Sequence, residues 1–377
     1  MHKVIFYPVG NGDTSQIVLD NGKRLLFDFR HLENGEKDDS PCIDLKKQLR
    51  VELDEAKRDN FDVVAFTHGD KDHIANSTSF FELQHAKKYQ GGDRIKIDEL
   101  WVPAAMILET AESDNQSEEF VIWRQEARYR LKQGEGVQVF SKPDKLKDWL
   151  ESEGLSVEKR KHLITDAGDL AKSFSIANDE VEFFCHSPFI KHCDEGDDLR
   201  NAAALIFQVR FEVDGERTDY WAVGDTDYEV LEDIVDSTQS HGNDDRLDWH
   251  LLNIPHHCSY KALSAEKGDK ETIPTEKVKE LLMHGQPDSY LVSSSNPIGN
   301  DKDSYEQTQP PHVQAKNCYN TYLKKVDGRK LLVTMEEPNT KNPEPLIFEI
   351  SGDGHKLKSR TITGAAAIIS TPAPRAG

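Results

Sequence analysis

Apolar runs broken by turn residues open the chain. Residues 3–9 (KVIFYPV) form the first run and end at Gly10-Asn11-Gly12-Asp13. A second run, 15–20 (SQIVLD), reaches Asn21-Gly22, and a third, 24–29 (RLLFDF), comes next. Two runs joined by Asn-Gly predict a β-hairpin, so the chain is expected to begin with three strands. Residues 43–60 carry apolar positions at helical spacing, and 61–67 (FDVVAFT) is a β-branched run that predicts a buried strand. Further strands are expected at 98–104, 180–185, 202–211, 219–223, 249–254, 289–293, 330–335 and 345–350, with helices at 226–238, 275–284 and 312–325. Residues 107–170 are densely charged and helix-like in EEFVIWRQEARYRLKQ and KPDKLKDWLESEG, which reads as an inserted helical unit on the surface. Strands interleaved with helices fit a layered α/β protein. A single domain is expected over 1–360, with a flexible tail at 361–377.

Composition narrows the class. No apolar run approaches the roughly 20 residues a bilayer span needs, and mean hydropathy is −0.68, which excludes an integral helical membrane protein. Lys and Arg number 47 against 68 Asp and Glu, a formal charge of −21. That balance opposes nonspecific adhesion to nucleic acid or anionic membranes, although a bound metal or a local basic groove can still accept a polyanion. Five cysteines with no CxxC pair predict free thiols and a reducing cytoplasm. The first residues lack the basic and long apolar regions of a signal peptide.

The chemistry concentrates at strand ends. Thr67-His68-Gly69-Asp70-Lys71-Asp72-His73 comes directly after the 61–67 strand and offers four candidate metal ligands, His68, Asp70, Asp72 and His73, within six positions. A solvated turn accounts for Asp and Gly but not for two histidines bracketing two aspartates. Imidazole suits zinc, whereas carboxylate shifts preference toward manganese. Other predicted strands end at His186, at Gly224-Asp225 and at Pro255-His256-His257, and a loop later at Pro311-His312. One competent side chain beyond each of several strand ends is how an α/β fold builds a site along one edge.

These motifs, in this order, resemble the metallo-β-lactamase superfamily. Its first ligand motif usually reads HxHxDH, and here it reads HxDxDH, with Asp70 where the second His usually stands. That variant is similar to the hydrolase domain of ComEC-type competence proteins and its free-standing relatives. Val9–Asp13 (VGNGD), Leu25–Phe29 (LLFDF), Cys185–Pro188 (CHSP), Ala222–Asp227 (AVGDTD), His256–Ser259 (HHCS) and Pro310–His312 (PPH) fit the same pattern. The chain departs from it at Ala75-Asn76, at Cys258 and at Phe29-Arg30, where glycines are usual.

The resemblance implies a four-layer αββα sandwich holding two divalent ions, Zn2+ or Mn2+. His68, Asp70 and His186 would hold one; Asp72, His73 and His256 or His257 would hold the other, with Asp225 bridging. Asp13 and Asp28 would sit behind the ligands and orient them. Two ions roughly 3.5–4 Å apart would share a water and lower its pKa for attack. Asp72 or another ligating carboxylate could handle the proton, His312 or the unligated member of the His256/His257 pair could serve the leaving oxygen, and Lys261 could contact a phosphate. The expected function is a phosphodiesterase or nuclease acting on nucleic acid or a nucleotide. A hydrolase of a lactam, lactone or thioester, and a partner-binding protein with a relic site, remain alternatives, because fold and metals do not set the substrate. The helical unit leaves room for a protein partner.

Overall fold

The computed structural model describes residues 1–109, 117–194 and 201–358. The tail expected at 361–377 and part of the 107–170 unit lie outside these residues. The first sheet contains β1 (His2–Phe6), β2 (Ser15–Val18), β3 (Arg24–Phe27), β4 (Asn60–Ala65), β5 (Lys96–Pro103), β6 (Val137–Phe140) and β7 (Ile164–Thr165). The second contains β8 (Val181–Ser187), β9 (Ile206–Val213), β10 (Glu216–Val223), β11 (Trp249–Asn253), β12 (Gly285–Ser293) and β13 (Lys330–Val333). The chain then returns to the first sheet with β14 (Leu346–Ser351) and β15 (Gly354–Leu357), giving the order β15-β14-β1-β2-β3-β4-β5-β6-β7 against β13-β12-β11-β10-β9-β8.

Three hydrophobic cores define four layers. Between the sheets, Phe6, Val63 and Trp101 meet Phe183, Phe207 and Leu251, with Trp101 edge-on to Phe183 at 5.3 Å. The outer face of the first sheet packs on helices Leu45–Glu55, Glu118–Gln133 and Asp144–Ser152 through residues such as Leu49, Trp123 and Leu150. The outer face of the second packs on Tyr228–Ser240, Glu276–Met283 and Val313–Lys325 through Ile234, Leu281 and Tyr319. This is the αββα sandwich expected from the motifs. A sheet buried on both faces is stable only when each face has such a cover.

The interval read as a helical unit supplies two of the helices of the layer outside the first sheet. Phe120, Trp123, Ala127 and Leu131 are buried against the sheet, and the interval also contributes β6 and β7. The four-residue β6 (VQVF) has no alternation to betray it, because all four of its positions are buried.

Strands β3 to β7 run parallel in the first sheet, as do β10 to β13 in the second. Their carboxyl ends deliver Asp28, Thr67-His68, Asp225 and His256-His257 to one edge of the sandwich, which is where open α/β sheets place their sites. Among the described residues no disulfide joins the cysteines. Among the described residues no helix is long and apolar enough to cross a membrane.

Candidate metal centre

Four buried side chains, Asp13, His73, Asp225 and His257, bring ligand atoms within 4.8 Å of one another; His68, Asp72 and His73 form an adjoining group. Asp225 is the hub. Its Oδ1 lies 3.3 Å from His73 Nε2 and 3.5 Å from His257 Nε2, and its Oδ2 lies 3.6 Å from His256 Nε2. His257 Nε2 also stands 3.3 Å from Asp72 Oδ2.

The backing of each ring sets which nitrogen faces the centre. His73 Nδ1 lies 2.7 Å from Asp28 Oδ2 and donates to it. His257 Nδ1 donates to the Ser294 carbonyl at 3.0 Å. Thr67 Oγ1 donates to Asp28 Oδ2 at 2.7 Å, which leaves it an acceptor for His68 Nδ1 at 3.2 Å. A proton fixed on Nδ1 leaves the Nε2 lone pair available, and the Nε2 atoms of His73 and His257 both face Asp225 Oδ1. His68 Nε2, His73 Nε2, Asp225 Oδ1 and Asp13 Oδ2 are buried without a hydrogen-bond partner. Buried polar atoms are normally satisfied, so orphans clustered in one place point to a missing common partner. Imidazole nitrogens mixed with carboxylate oxygens are a donor set for a divalent cation.

The backbone is strained where it presents these groups. His256, His257 and Cys258 take φ of +50°, +51° and +65° in succession, and Asp28 takes +55°. Left-handed backbone costs a non-glycine residue about 1–2 kcal/mol, and such strain concentrates at functional sites. Gly224, before Asp225, has no such φ; its requirement is steric, because a Cβ there would lie 2.4 Å from Thr67 Oγ1.

The electrostatics arise from burying this many carboxylates beside imidazoles. Burial alone would lower the pKa of His257, but Asp225 and Asp72 outweigh it and push the group up to about 9. His73 rises well above its ordinary value in the same way, through Asp28 and Asp225. Burial would raise Asp225 and Asp72, yet the neighbouring histidines hold both below the ordinary carboxylate range. In the absence of a cation, protons on the histidines therefore balance the carboxylates. A group with a raised folded pKa stabilises fully below its unfolded value and loses that contribution as pH rises through the folded value. Chelator-treated protein is expected to lose stability between about pH 6.5 and 9, where His257 titrates. A cation needs neutral imidazoles, so its affinity should rise over the same window with release of protons. Thermal melts across that range, with chelator and with excess zinc, check the opposed trends.

Several residues singled out in the sequence take different places. His186 does not join the centre. Cys185 faces the core between the sheets, so the next side chain on the strand faces outward. There His186 stacks on Trp221 at 4.6 Å, and Nε2 donates to the Arg246 carbonyl at 3.0 Å. Burial pushes its pKa down to about 3, as fits a neutral structural histidine. Asp13 moves the other way: rather than standing behind a ligand, it turns an unpartnered oxygen into the cluster. Asp28 stands behind His73, a candidate ligand.

Asp70 sits at the rim, its side chain 37 % exposed and 3.6 Å from His68 Nε2. His256 stands between Asp225 and Asp227, with Nδ1 3.6 Å from Asp227 Oδ1. His312 caps the helix Val313–Lys325; its backbone N–H donates to the Cys258 carbonyl, and its Nε2 is buried without a partner. Burial pushes its pKa down to about 4, so it is neutral. Lys261 is exposed on the turn after Tyr260. Arg30 is not among the site residues the motifs single out. Its guanidinium donates to the Val9 carbonyl and is attracted by Asp72 and Asp13. The signal for it is the charged residue just after Asp28-Phe29, where glycine is usual.

The chain matches no protein-family profile and no curated protein. Among solved structures it is similar to a diphosphatase of the PhnP family (9% identity, 93% of this chain and 98% of that one, TM-score 0.35). It is also similar to the metallo-β-lactamase GOB-18 from Elizabethkingia meningoseptica (12%, 85% and 92%, TM-score 0.29). A third likeness is to Zn2+-bound PqqB from Methylobacterium extorquens (9%, 68% and 72%, TM-score 0.25). Likenesses this distant carry no argument about activity. The donor set carries one by itself: a buried cluster of histidine and aspartate, oriented from behind and presented on strained backbone, with the composition of a divalent-cation centre.

Proposed function

We propose that this chain is a metal-dependent hydrolase that cleaves phosphodiesters in nucleic acid or a nucleotide. The observation that carries the reading is a pair of adjoining clusters that share His73, one with Asp13, Asp225 and His257 and the other with His68 and Asp72, several of their polar atoms buried without a hydrogen-bond partner. His73, His257, Asp225 and Asp13 would hold one ion. His68 and Asp72 would extend the set to a second, with Asp70 at its rim. Divalent ions in such a cage supply Lewis acidity and a nucleophile at neutral pH.

The chain's own groups then account for the rest. Asp72 is 36% exposed at its side chain and so can accept a proton from a bound substrate or water. Arg30, beside Asp72 and Asp13, can hold an anionic oxygen, and guanidinium suits phosphate. His312 is neutral at a helix N-terminus, an environment that favours an anion and lets the ring hydrogen-bond a leaving oxygen. Lys261 can add a point charge at the periphery. The phosphodiester choice rests on these cationic and neutral donors and on the ComEC-like order of the motifs.

A matrix of zinc, manganese and magnesium against linear DNA, plasmid, RNA, bis(p-nitrophenyl) phosphate and nitrocefin tests it. Phosphodiester hydrolysis is expected, faster with manganese than with magnesium, and abolished by chelator and by Asp72→Asn. His312→Ala should keep its metal and lose roughly 10²–10⁴-fold in kcat, the scale of a lost acid–base group. Nitrocefin turnover without phosphodiester hydrolysis would replace this reading with a carbonyl hydrolase.

A further inference from the structure

We infer that the outer helix Glu118–Gln133 is a clamp on the metal-binding loop, with Glu119 and Trp123 as positioning residues; this rests on the metal centre proposed above. Asp72 and His73 ride on a helix of four residues, Lys71–Ile74. A helix that short has no stability of its own, so its orientation is set by whatever ties its ends.

The ties come from two sides. On the sheet side, Phe29 N–H donates to the His73 carbonyl at 2.7 Å and His31 N–H to the Ala75 carbonyl at 3.0 Å. On the outer side, the Glu119 carboxylate accepts from the backbone N–H of Asn76 at 2.5 Å and of Thr78 at 3.0 Å, and from Thr78 Oγ1 at 2.9 Å. Asn76 holds φ of +61°, so the carboxylate anchors the loop at its strained reversal. Trp123 Nε1 donates to Ser77 Oγ at 2.7 Å, and Ser77 Oγ donates to the Ile74 carbonyl at 2.5 Å.

A steric contact completes the clamp. A Cβ on Gly69, between His68 and Asp70, would fall 2.1 Å from the Phe120 ring. Hydrogen bonding and packing along one side of the helix thus fix the loop, and the carboxylate bonds are of the stronger, charge-assisted kind.

Cobalt binding to the full chain, read by absorption and by competition with a chelating indicator, tests the inference. Glu119→Gln should weaken Co2+ binding by about 10–100-fold, the usual cost of losing a group that orients a ligand, and should shift the visible absorption bands. Thr78→Val, which removes a single bond, should do the same to a smaller degree. Gly69→Ala should weaken binding through the clash, and adding Phe120→Ala should restore most of it. Melting curves in chelator read folding separately; if Glu119→Gln fails to fold, Thr78→Val gives the answer. Wild-type affinity and an unshifted spectrum in the folded Glu119 or Thr78 variant overturn the clamp while leaving the metal centre standing. A wild-type chain that binds no cobalt overturns the metal centre, and the clamp with it.

Discussion

Asn in place of Asp225 is expected to weaken binding of a divalent cation by more than the roughly 100-fold that loss of a merely supporting residue costs. Hydrolysis should fall with it. Asp225 faces three histidines, with His73 and His257 near one oxygen and His256 near the other. Asn keeps that shape and discards the charge, so a steric explanation of any loss is removed. The same substitution removes the largest influence that raises His257. In chelator, the alkaline loss of stability should therefore move to lower pH than in the wild type. Equilibrium dialysis against zinc or manganese measures the first effect, and thermal melts against pH measure the second. Undiminished affinity in the variant would remove Asp225 from the centre.

Asp28→Ala carries the second largest effect, and it falls on folding as well as on the metal. Asp28 is 1% exposed and serves three donors: the Thr67 N–H, the Thr67 hydroxyl and His73 Nδ1, each at 2.7 Å. Removing one partner of a buried pair leaves the other charged or unsatisfied, which costs about 3–5 kcal/mol. His73 would lose the proton acceptor that keeps its Nε2 turned to the centre. Denaturant unfolding should show a loss on that scale, and cation affinity in the folded fraction should fall about 10–100-fold. Asp28→Asn keeps the packing and should lie between Ala and wild type in both measurements. A variant as stable as wild type would mean that the Asp28 bonds contribute nothing net.

Much of this site is legible in the sequence because strand ends are. The run 61–67 announces a buried strand, and the residues after it must emerge at its carboxyl end, so the convergence of His68, Asp72 and His73 can be anticipated. Asp225 and the His256-His257 pair are legible for the same reason. His186 shows the limit of that argument. A strand end places a residue at an edge, but which face it takes depends on parity, and the register shift between Cys185 and Ser187 makes parity unreadable from sequence. Asp13 looks like a turn residue. Its meaning comes from the β1–β2 loop being laid against Asp72, whose carbonyl accepts the Asp13 N–H at 3.3 Å. Glu119 is hidden by ordinariness, because an acidic residue in a first helical turn already has a reason to be there. Counting strands and helices gives a layered α/β protein and the resemblance of the motifs implies its four layers, whereas β6 and β7, buried within a charged stretch, are legible from neither.

Elemental analysis after equilibration with zinc or manganese tests the central claim most directly. The wild-type chain is expected to retain one to two ions, and the double variant Asp72→Ala, His73→Ala at least one fewer. No bound metal in the wild-type chain after both ions have been supplied would contradict the account.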